Sequence, residues 1–184
     1  MKILQAIFLS LRVWLTLLFA PPRKQDVRHG YDTLRKQYVL RMCCQHFGKD
    51  SSEPAPLYGL KLLDVGCGGT PELATFLALA GADVVAIDPD KIALQQAENI
   101  AKNYGVPVKF YPKKLEEMVS DAHTYDIILT LDILSYVDDV ERITWAQEKL
   151  LSKHGVIVFS GIRKTIKSWI LHIGLSSYIL KRTP

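Results

Sequence analysis

The chain has 184 residues, enough for one domain with a hydrophobic core, and its 48% hydrophobic and 23% charged residues are typical of a folded globular protein. Its three cysteines, Cys43, Cys44 and Cys67, form no Cys-x-x-Cys pair, which argues against a disulfide scaffold or a zinc site and favours a reducing compartment. The net charge is only +4, but residues 1–25 and 161–184 contain basic residues and no acids, which favours contact with anionic lipid headgroups. No nucleic-acid-binding module is recognisable, so no nucleic-acid partner is predicted.

An apolar segment opens the chain, at residues 3–20, with Arg12 near its middle. A cleaved signal peptide needs small residues before the cut, and Leu18 and Pro21 on either side of Ala20 argue against it. A transmembrane helix would be barely long enough and would bury Arg12 at a cost of roughly 2.5–3.5 kcal/mol. An in-plane anchor tolerates this arginine better, and a helix buried against the domain is the alternative. We therefore predict that residues 1–24 form a membrane-contacting segment.

A helical extension is predicted between this segment and the core, over residues 25–58. Residues 21–30 are interpreted as a polar linker, and residues 31–47 as a helix because apolar residues recur there at helical spacing. Two prolines predict a loop over residues 49–59.

The core, residues 59–184, alternates short apolar runs with helical stretches. Strands are predicted at residues 60–65, 83–87, 106–111, 126–131 and 155–160, and helices at residues 72–80, 91–104, 114–120 and 140–152. Unbroken apolar strands between helices are typical of a parallel sheet that is covered on both faces. The predicted fold class is therefore α/β, an open doubly wound and mostly parallel sheet, which binds its ligand at the carboxyl ends of the strands.

The glycine-rich turn after the first predicted strand limits the choice of ligand. It reads Gly-Cys-Gly-Gly-Thr-Pro from Gly66 to Pro71, and it lacks the Gly-Lys-Ser/Thr of a Walker A loop. A dinucleotide-binding turn would have its third glycine where Pro71 stands, and no basic residue lies near the turn to bind a pyrophosphate. The pattern favours a nucleoside ligand without phosphates.

Two acids near this turn predict what the ligand carries. Asp88, twenty residues after Gly68, ends the second strand and is placed to accept two hydrogen bonds from a ribose, each worth roughly 1.5–3 kcal/mol. Asp64 precedes the turn and could face a cationic group. A cationic nucleoside without phosphates is S-adenosylmethionine (SAM). In the alternative interpretation, Asp88 only caps the next helix, because Pro89 follows at a first-turn position.

Four segments resemble one protein family. They are "HGYDTLRKQYV" (residues 29–39), "LLDVGCGGTPELATFLALAGADVVAID" (residues 62–88), "YDIILTLDILSYV" (residues 125–137) and "KSWILHIGLSSYILKRTP" (residues 167–184). The core resembles a Rossmann-like class I SAM-dependent methyltransferase, and more narrowly the ubiquinone biosynthesis O-methyltransferase family. The resemblance runs from about residue 29 to the end, and the last segment is the most specific to the family.

The resemblance implies SAM contacts at Arg35, Gly66, Asp88 and Leu131. Arg35 would pair with the cofactor carboxylate, although a solvated helix arginine is the alternative. Leu131 would pack on the adenine, although it could equally belong to the core. Asp64 and Gly68 are supporting candidates from the turn itself.

After the fourth strand the chain departs from the family pattern. The family has acids and a histidine there that are associated with a divalent metal, whereas Ser135 and Tyr136 replace Glu and His in this sequence and Asp132 keeps a carboxylate. Magnesium requires several oxygen ligands, so we predict no metal ligands. Help with deprotonating a phenol would then come from Asp132 or Tyr136, and Asp132 becomes the candidate catalytic base. The alternative interpretation of Asp132 is a structural acid at a strand end.

The end of the chain also departs from the family, which continues past residue 184 with further strands and substrate-site residues. We therefore expect a sheet that lacks the final family strands, and a truncated relative with little activity is one alternative. Residues 165–182 are predicted to form a helix with a narrow polar stripe, an apolar remainder and basic residues at both ends. That pattern is typical of an interfacial membrane helix, and a core helix is the alternative.

The resemblance implies O-methylation of a polyprenylated catechol or hydroquinone in ubiquinone biosynthesis. The expected partners are the polyprenyl phenol, anionic membrane lipids and other ubiquinone-biosynthesis proteins. The expected location is cytoplasmic and peripheral to the inner membrane, or to the mitochondrial inner membrane in a eukaryote. Two alternatives remain open at this point: an inactive SAM-binding partner protein, and a small-molecule methyltransferase with another acceptor.

Overall fold

A computed structural model describes residues 24–68, 71–121, 123–133 and 139–160. The predicted apolar segment at residues 3–20 and the predicted helix at residues 165–182 lie outside these ranges. The chain divides into two compact units, Met1–Arg41 and Met42–Pro184.

Helix α1 (Lys24–His46) runs through most of the predicted helical extension. It begins seven positions earlier than expected, so the prediction of a linker up to residue 30 is wrong over residues 24–30. One glycine inside a 23-residue helix costs only about 1 kcal/mol, which the rest of the helix can offset. The helix ends where Gly48 adopts a φ of +62°, and the Lys49 N–H then donates to the Cys44 carbonyl at 2.8 Å.

The second unit contains a parallel five-stranded sheet, which confirms the predicted fold class. Its strands lie in the order β3-β2-β1-β4-β5. They are β1 (Lys61–Val65), β2 (Asp83–Ile87), β3 (Val108–Tyr111), β4 (Tyr125–Leu131) and β5 (Leu151–Ser160). The connecting elements are α2 (Glu72–Leu79), α3 (Lys91–Asn103), a 3₁₀ helix (Leu115–Asp121) and α4 (Val140–Leu150).

Most predicted boundaries differ from these by one or two residues, and β5 differs most. It begins at Leu151 and not at residue 155, because its pairing with β4 starts at Tyr125–Leu151 and resumes in shifted register at Ile127–Val156. The intervening residues are polar or glycine, so the sequence shows no apolar run there.

The apolar strands form the core because both faces of the sheet are covered. Leu62 and Leu63 of β1 and Ile127, Ile128 and Leu129 of β4 are fully buried. Burying each such side chain contributes about 1.5–3 kcal/mol. Helices α3 and α4 add the buried side chains of Leu94, Ala97, Ala101, Ile143, Ala146 and Leu150.

The strand order fixes where a ligand can bind. The chain adds β2 and β3 on one side of β1, and β4 and β5 on the other, so the order reverses between β1 and β4. The connections on the two sides diverge at this point and leave a crevice at the carboxyl ends of the two strands.

Candidate functional site

The glycine turn folds over the end of β2. The N–H groups of Gly66 and Cys67 both donate to the Ile87 carbonyl, at 2.8 and 3.2 Å. Gly66 has a φ of +70°, and a Cβ at this position would overlap the Ile133 side chain. Gly68 has a φ of +59° and open space beside it. Only glycine fits the first position, because both the backbone conformation and the close approach of Ile133 exclude a side chain.

The Asp88 carboxylate is hydrogen-bonded to the same glycine turn. One carboxylate oxygen accepts from the Gly68 N–H at 2.9 Å, and the other accepts from the Asp90 N–H at 2.9 Å. The cap of α3 is Asp90, whose side chain accepts from the N–H groups of Ile92 and Ala93. The alternative interpretation of Asp88 as the helix cap is therefore wrong. A carboxylate has about four acceptor positions, so Asp88 retains capacity for further donors.

The region around Cys67 is negatively charged. Burial raises the pKa of the Cys67 thiol above its ordinary value, and the carboxylates of Asp64 and Asp88 raise it further. Asp64 is itself buried in β1, next to Ala86 of β2. The thiol therefore stays protonated and unreactive, and the two carboxylates favour a cation over an anion beside the turn.

Asp132, directly after β4, has an unusual backbone conformation. Its φ is +61°, and it is the only non-glycine residue with a positive φ in the part of the chain that the structure describes. Its N–H donates to the Ser160 hydroxyl oxygen at 3.0 Å, and the Ser160 O–H donates to its Oδ1 at 2.6 Å. Sequence reasoning missed Ser160, although a serine at the carboxyl end of the strand beside β4 was the available signal.

A cavity of about 650 Å³ lies at this edge of the sheet, within the usual range of ligand pockets. Four predicted site residues line it: Gly66, Asp88, Leu131 and Asp132. Gly68 does not line it but is bonded to Asp88. Arg35 belongs to the unit Met1–Arg41, so its role as a cofactor contact stays a prediction.

The wall formed by the segment after β3 and by α4 was not predicted. Its residues are Lys113, Lys114, Leu115, Glu116, Asp139, Arg142 and Ile143. Two of its cations lie beside acids: Lys113 is 2.7 Å from Asp121, and Arg142 is 3.7 Å from Glu116. The sequence carried one signal for this wall. Residues 113–116 follow the third predicted strand, and the carboxyl ends of parallel strands meet at the same edge of the sheet.

The described residues contain no group of three or more His, Cys, Asp or Glu side chains placed to hold a metal ion. Positions 135 and 136, where the family pattern has metal-associated residues, lie outside those residues. Within the same ranges, every helix is too short or too polar to cross a bilayer.

Comparisons with known proteins agree with this geometry. Residues 58–175 match the family model described as a methyltransferase domain. The ubiquinone biosynthesis O-methyltransferase of Rhizobium etli (strain CIAT 652) is 34% identical over 166 residues, which is 90% of this chain and 66% of that protein. The chain thus spans slightly less than two thirds of that relative's length.

Solved structures show the same fold. Magnesium protoporphyrin IX methyltransferase from Synechocystis PCC 6803, with bound SAM, has a TM-score of 0.58 at 22% identity, covering 84% of this chain and 71% of its own. An S-adenosylmethionine-dependent methyltransferase from Clostridium acetobutylicum has a TM-score of 0.57 at 17% identity, and the match covers 84% of this chain and 56% of that protein's chain. The resemblance to a class I SAM-dependent methyltransferase is confirmed, and because the family model matches more than half of its length, the chain belongs to the methyltransferase domain family.

Proposed function

We propose that this protein binds SAM at the carboxyl edge of the sheet and transfers its methyl group to a phenolic oxygen. The observation that carries the proposal is the hydrogen bonding of the glycine turn. A turn that binds phosphates presents successive backbone N–H groups to the anion. Here the N–H groups of Gly66 and Cys67 are engaged by Ile87, and that of Gly68 by Asp88. These three N–H groups, in the part of the turn that the structure describes, are thus not presented to an anion, which favours a ligand without phosphates.

The residues around the cavity fit SAM. When bound, SAM supplies a methyl group on a positively charged sulfur, and the carboxylates of Asp88 and Asp132 at the cavity wall suit a cationic ligand. The remaining acceptor positions of Asp88 suit the two ribose hydroxyls, and Leu131 offers an apolar surface for the adenine. Gly66 leaves the space that a side chain would fill.

Asp132 is the residue we assign to proton transfer. In the overall reaction the sulfur–methyl bond breaks, an oxygen–methyl bond forms, and the bonding pair remains on sulfur. The acceptor phenol loses a proton, which a carboxylate at the cavity wall can accept and release to solvent. Asp132 lines the cavity one residue beyond the predicted adenine contact Leu131, so both substrates would meet at the end of β4.

The acceptor we favour is a polyprenylated catechol or hydroquinone. The Rhizobium etli relative carries the name of ubiquinone biosynthesis O-methyltransferase, which supports a phenolic acceptor of this class. Binding of this lipid at a membrane face, through residues 1–24 and 165–182, stays a prediction, and so do contacts with other ubiquinone-biosynthesis proteins. A peripheral position on the inner membrane belongs to the same prediction.

The test is methyl transfer from labelled SAM to a panel of acceptors, with SAM binding measured in parallel by calorimetry. We expect label on a farnesyl-bearing catechol and none on the corresponding dimethoxy compound, which has no hydroxyl to methylate. If label appears only on unrelated small molecules, the proposed acceptor is wrong and the assignment as a methyltransferase still holds. SAM binding without transfer to any acceptor would favour the inactive partner protein, and absence of SAM binding in folded protein would contradict the proposal.

A further inference from the structure

Two Ser–Asp pairs join β4 to β5, one at each end of the strands. At the amino end, the Ser152 O–H donates to Oδ1 of Asp126 at 2.8 Å. At the carboxyl end, the Ser160 O–H donates to Oδ1 of Asp132 at 2.6 Å. The two pairs use the same chemistry, but only Asp132 lines the cavity.

The pair at the cavity has a second hydrogen bond that the other lacks. The Ser160 hydroxyl oxygen also accepts from the Asp132 N–H at 3.0 Å, so one side chain holds both the backbone and the carboxyl group of the same residue. Asp132 is in the left-handed region, at a φ of +61°, which non-glycine residues seldom adopt, although aspartate does so more readily than most. The next residue, Ile133, lies against Gly66 and lines the cavity, so the conformation of Asp132 also sets the position of Ile133 in the cavity wall.

We propose that Ser160 is a positioning residue for methyl transfer, acting through Asp132. By fixing Oδ1 and the amide of Asp132, Ser160 sets the direction of the whole carboxyl group relative to the acceptor, because the two carboxylate oxygens are rigidly joined. Ser160 is not among the described residues that line the cavity, so the role proposed for it runs through Asp132. This inference depends on the proposed function, in which Asp132 accepts the acceptor proton.

The experiment compares Ser160→Ala with the matched control Ser152→Ala, on the full chain, using labelled SAM and a farnesyl-bearing catechol. We expect Ser160→Ala to lower kcat by about 10- to 100-fold, because small misplacements of a reacting group have effects of that size. The KM for the catechol and the Kd for SAM should stay within about threefold of the wild type, because the carboxylate and the cavity remain. Ser152→Ala should leave kcat unchanged.

A conservative variant separates positioning from general structural damage. Ser160→Thr keeps the hydroxyl and should retain kcat to within about threefold of the wild type. If Ser160→Ala does not fold, as judged by its melting curve, Ser160→Cys replaces it, since a thiol of similar size is a weak donor and predicts the same loss of kcat.

The outcomes are distinct. Unchanged kcat in Ser160→Ala, or an equal loss in Ser152→Ala, would overturn the positioning role and leave the proposed function intact. A parallel loss of SAM affinity that Ser160→Thr does not restore would show a structural role and overturn the inference. A wild type that binds SAM but methylates no acceptor would overturn the transferase assignment and, with it, the inference.

Discussion

The two ends of the sheet use similar acids under different constraints. At the amino end, Asp126 ties three strands together: it accepts from the Lys61 N–H of β1 at 3.0 Å and from the Ser152 hydroxyl of β5 at 2.8 Å. At the carboxyl end, Asp132 is bonded to Ser160 of β5, has a φ of +61° and lines the cavity. Asp126 therefore supports the fold at the register shift between β4 and β5 with a φ outside the left-handed region, whereas Asp132 is held in a conformation that local energetics disfavour.

This contrast indicates how the molecule separates stability from function. A non-glycine residue in the left-handed region costs about 1–3 kcal/mol, and such residues concentrate at functional sites. The bonds around Asp126, together with the buried strands, supply the stability that tolerates this cost. We therefore expect changes at the amino edge to alter stability alone, and changes at the carboxyl edge to alter ligand binding or turnover as well.

The largest stability effect that we predict comes from replacing a glycine with alanine at the carboxyl edge of the sheet, compared with the same change at the amino edge. Gly66→Ala should destabilise the protein by about 2–5 kcal/mol, because it combines left-handed strain with overlap against Ile133. It should also weaken SAM binding. The control at the amino edge is Gly155→Ala, where a Cβ would lie 3.0 Å from the Asp126 carbonyl oxygen and near the Leu151 side chain.

We expect Gly155→Ala to cost about 1–3 kcal/mol and to leave the Kd for SAM unchanged. Chemical denaturation gives the stabilities, and calorimetry gives the affinities. Equal loss of SAM affinity in both variants would contradict the claim that only the carboxyl edge of the sheet affects SAM binding.

A smaller effect is expected from removing the acid at the amino edge. Asp126→Ala removes an acceptor from a backbone N–H and from a serine hydroxyl, so we predict a loss of about 2–4 kcal/mol in the free energy of unfolding. SAM affinity of the folded variant should match the wild type, because the cavity lies at the other end of the strands. Urea denaturation and calorimetry measure the two quantities, and a tenfold change in Kd would contradict a purely structural role.

The smallest effect concerns α2, the helix that follows the glycine turn. The Thr75 hydroxyl is buried without a hydrogen-bond partner in the described part of the chain. Thr75→Val replaces it with a methyl group of similar shape, so we predict a change between zero and about 1 kcal/mol in the stabilising direction. Thermal denaturation measures it against Thr75→Ala, which leaves a small cavity. A loss above 1 kcal/mol in the valine variant would indicate that the hydroxyl is satisfied.

The central fold was predictable because its signals are local. The strands at β1, β2 and β4 are short apolar runs, and the glycine turn with Asp88 follows directly from spacing. The start of β5 was not predictable, because the polar residues 152–155 enter the strand through a register shift with β4. The early start of α1 was missed because the basic and polar composition of residues 24–30 is equally compatible with a linker.

The site was predictable in part, for a similar reason. Gly66, Asp88, Leu131 and Asp132 end strands or occupy the turn, and parallel topology brings such positions together. The part of the cavity wall after β3 had a signal in its position after a parallel strand, whereas the part from α4 required tertiary packing that no local pattern reports. The position of Ser160 at the end of a predicted strand was a usable signal, but its pairing with Asp132 required the β4–β5 register, since the two residues are 28 positions apart in the sequence.

The most direct test of the SAM site is calorimetric titration of SAM into the wild type, Asp88→Ala and Asp90→Ala. Asp88 lines the cavity, whereas Asp90 caps α3, so the two acids are neighbours with different assigned roles. Two hydrogen bonds to a charged acceptor are worth about 3–6 kcal/mol together, so Asp88→Ala should weaken binding by at least about 100-fold. Asp90→Ala should lower stability and leave the Kd unchanged. Retained affinity in Asp88→Ala would contradict the assignment of this edge of the sheet as the SAM site.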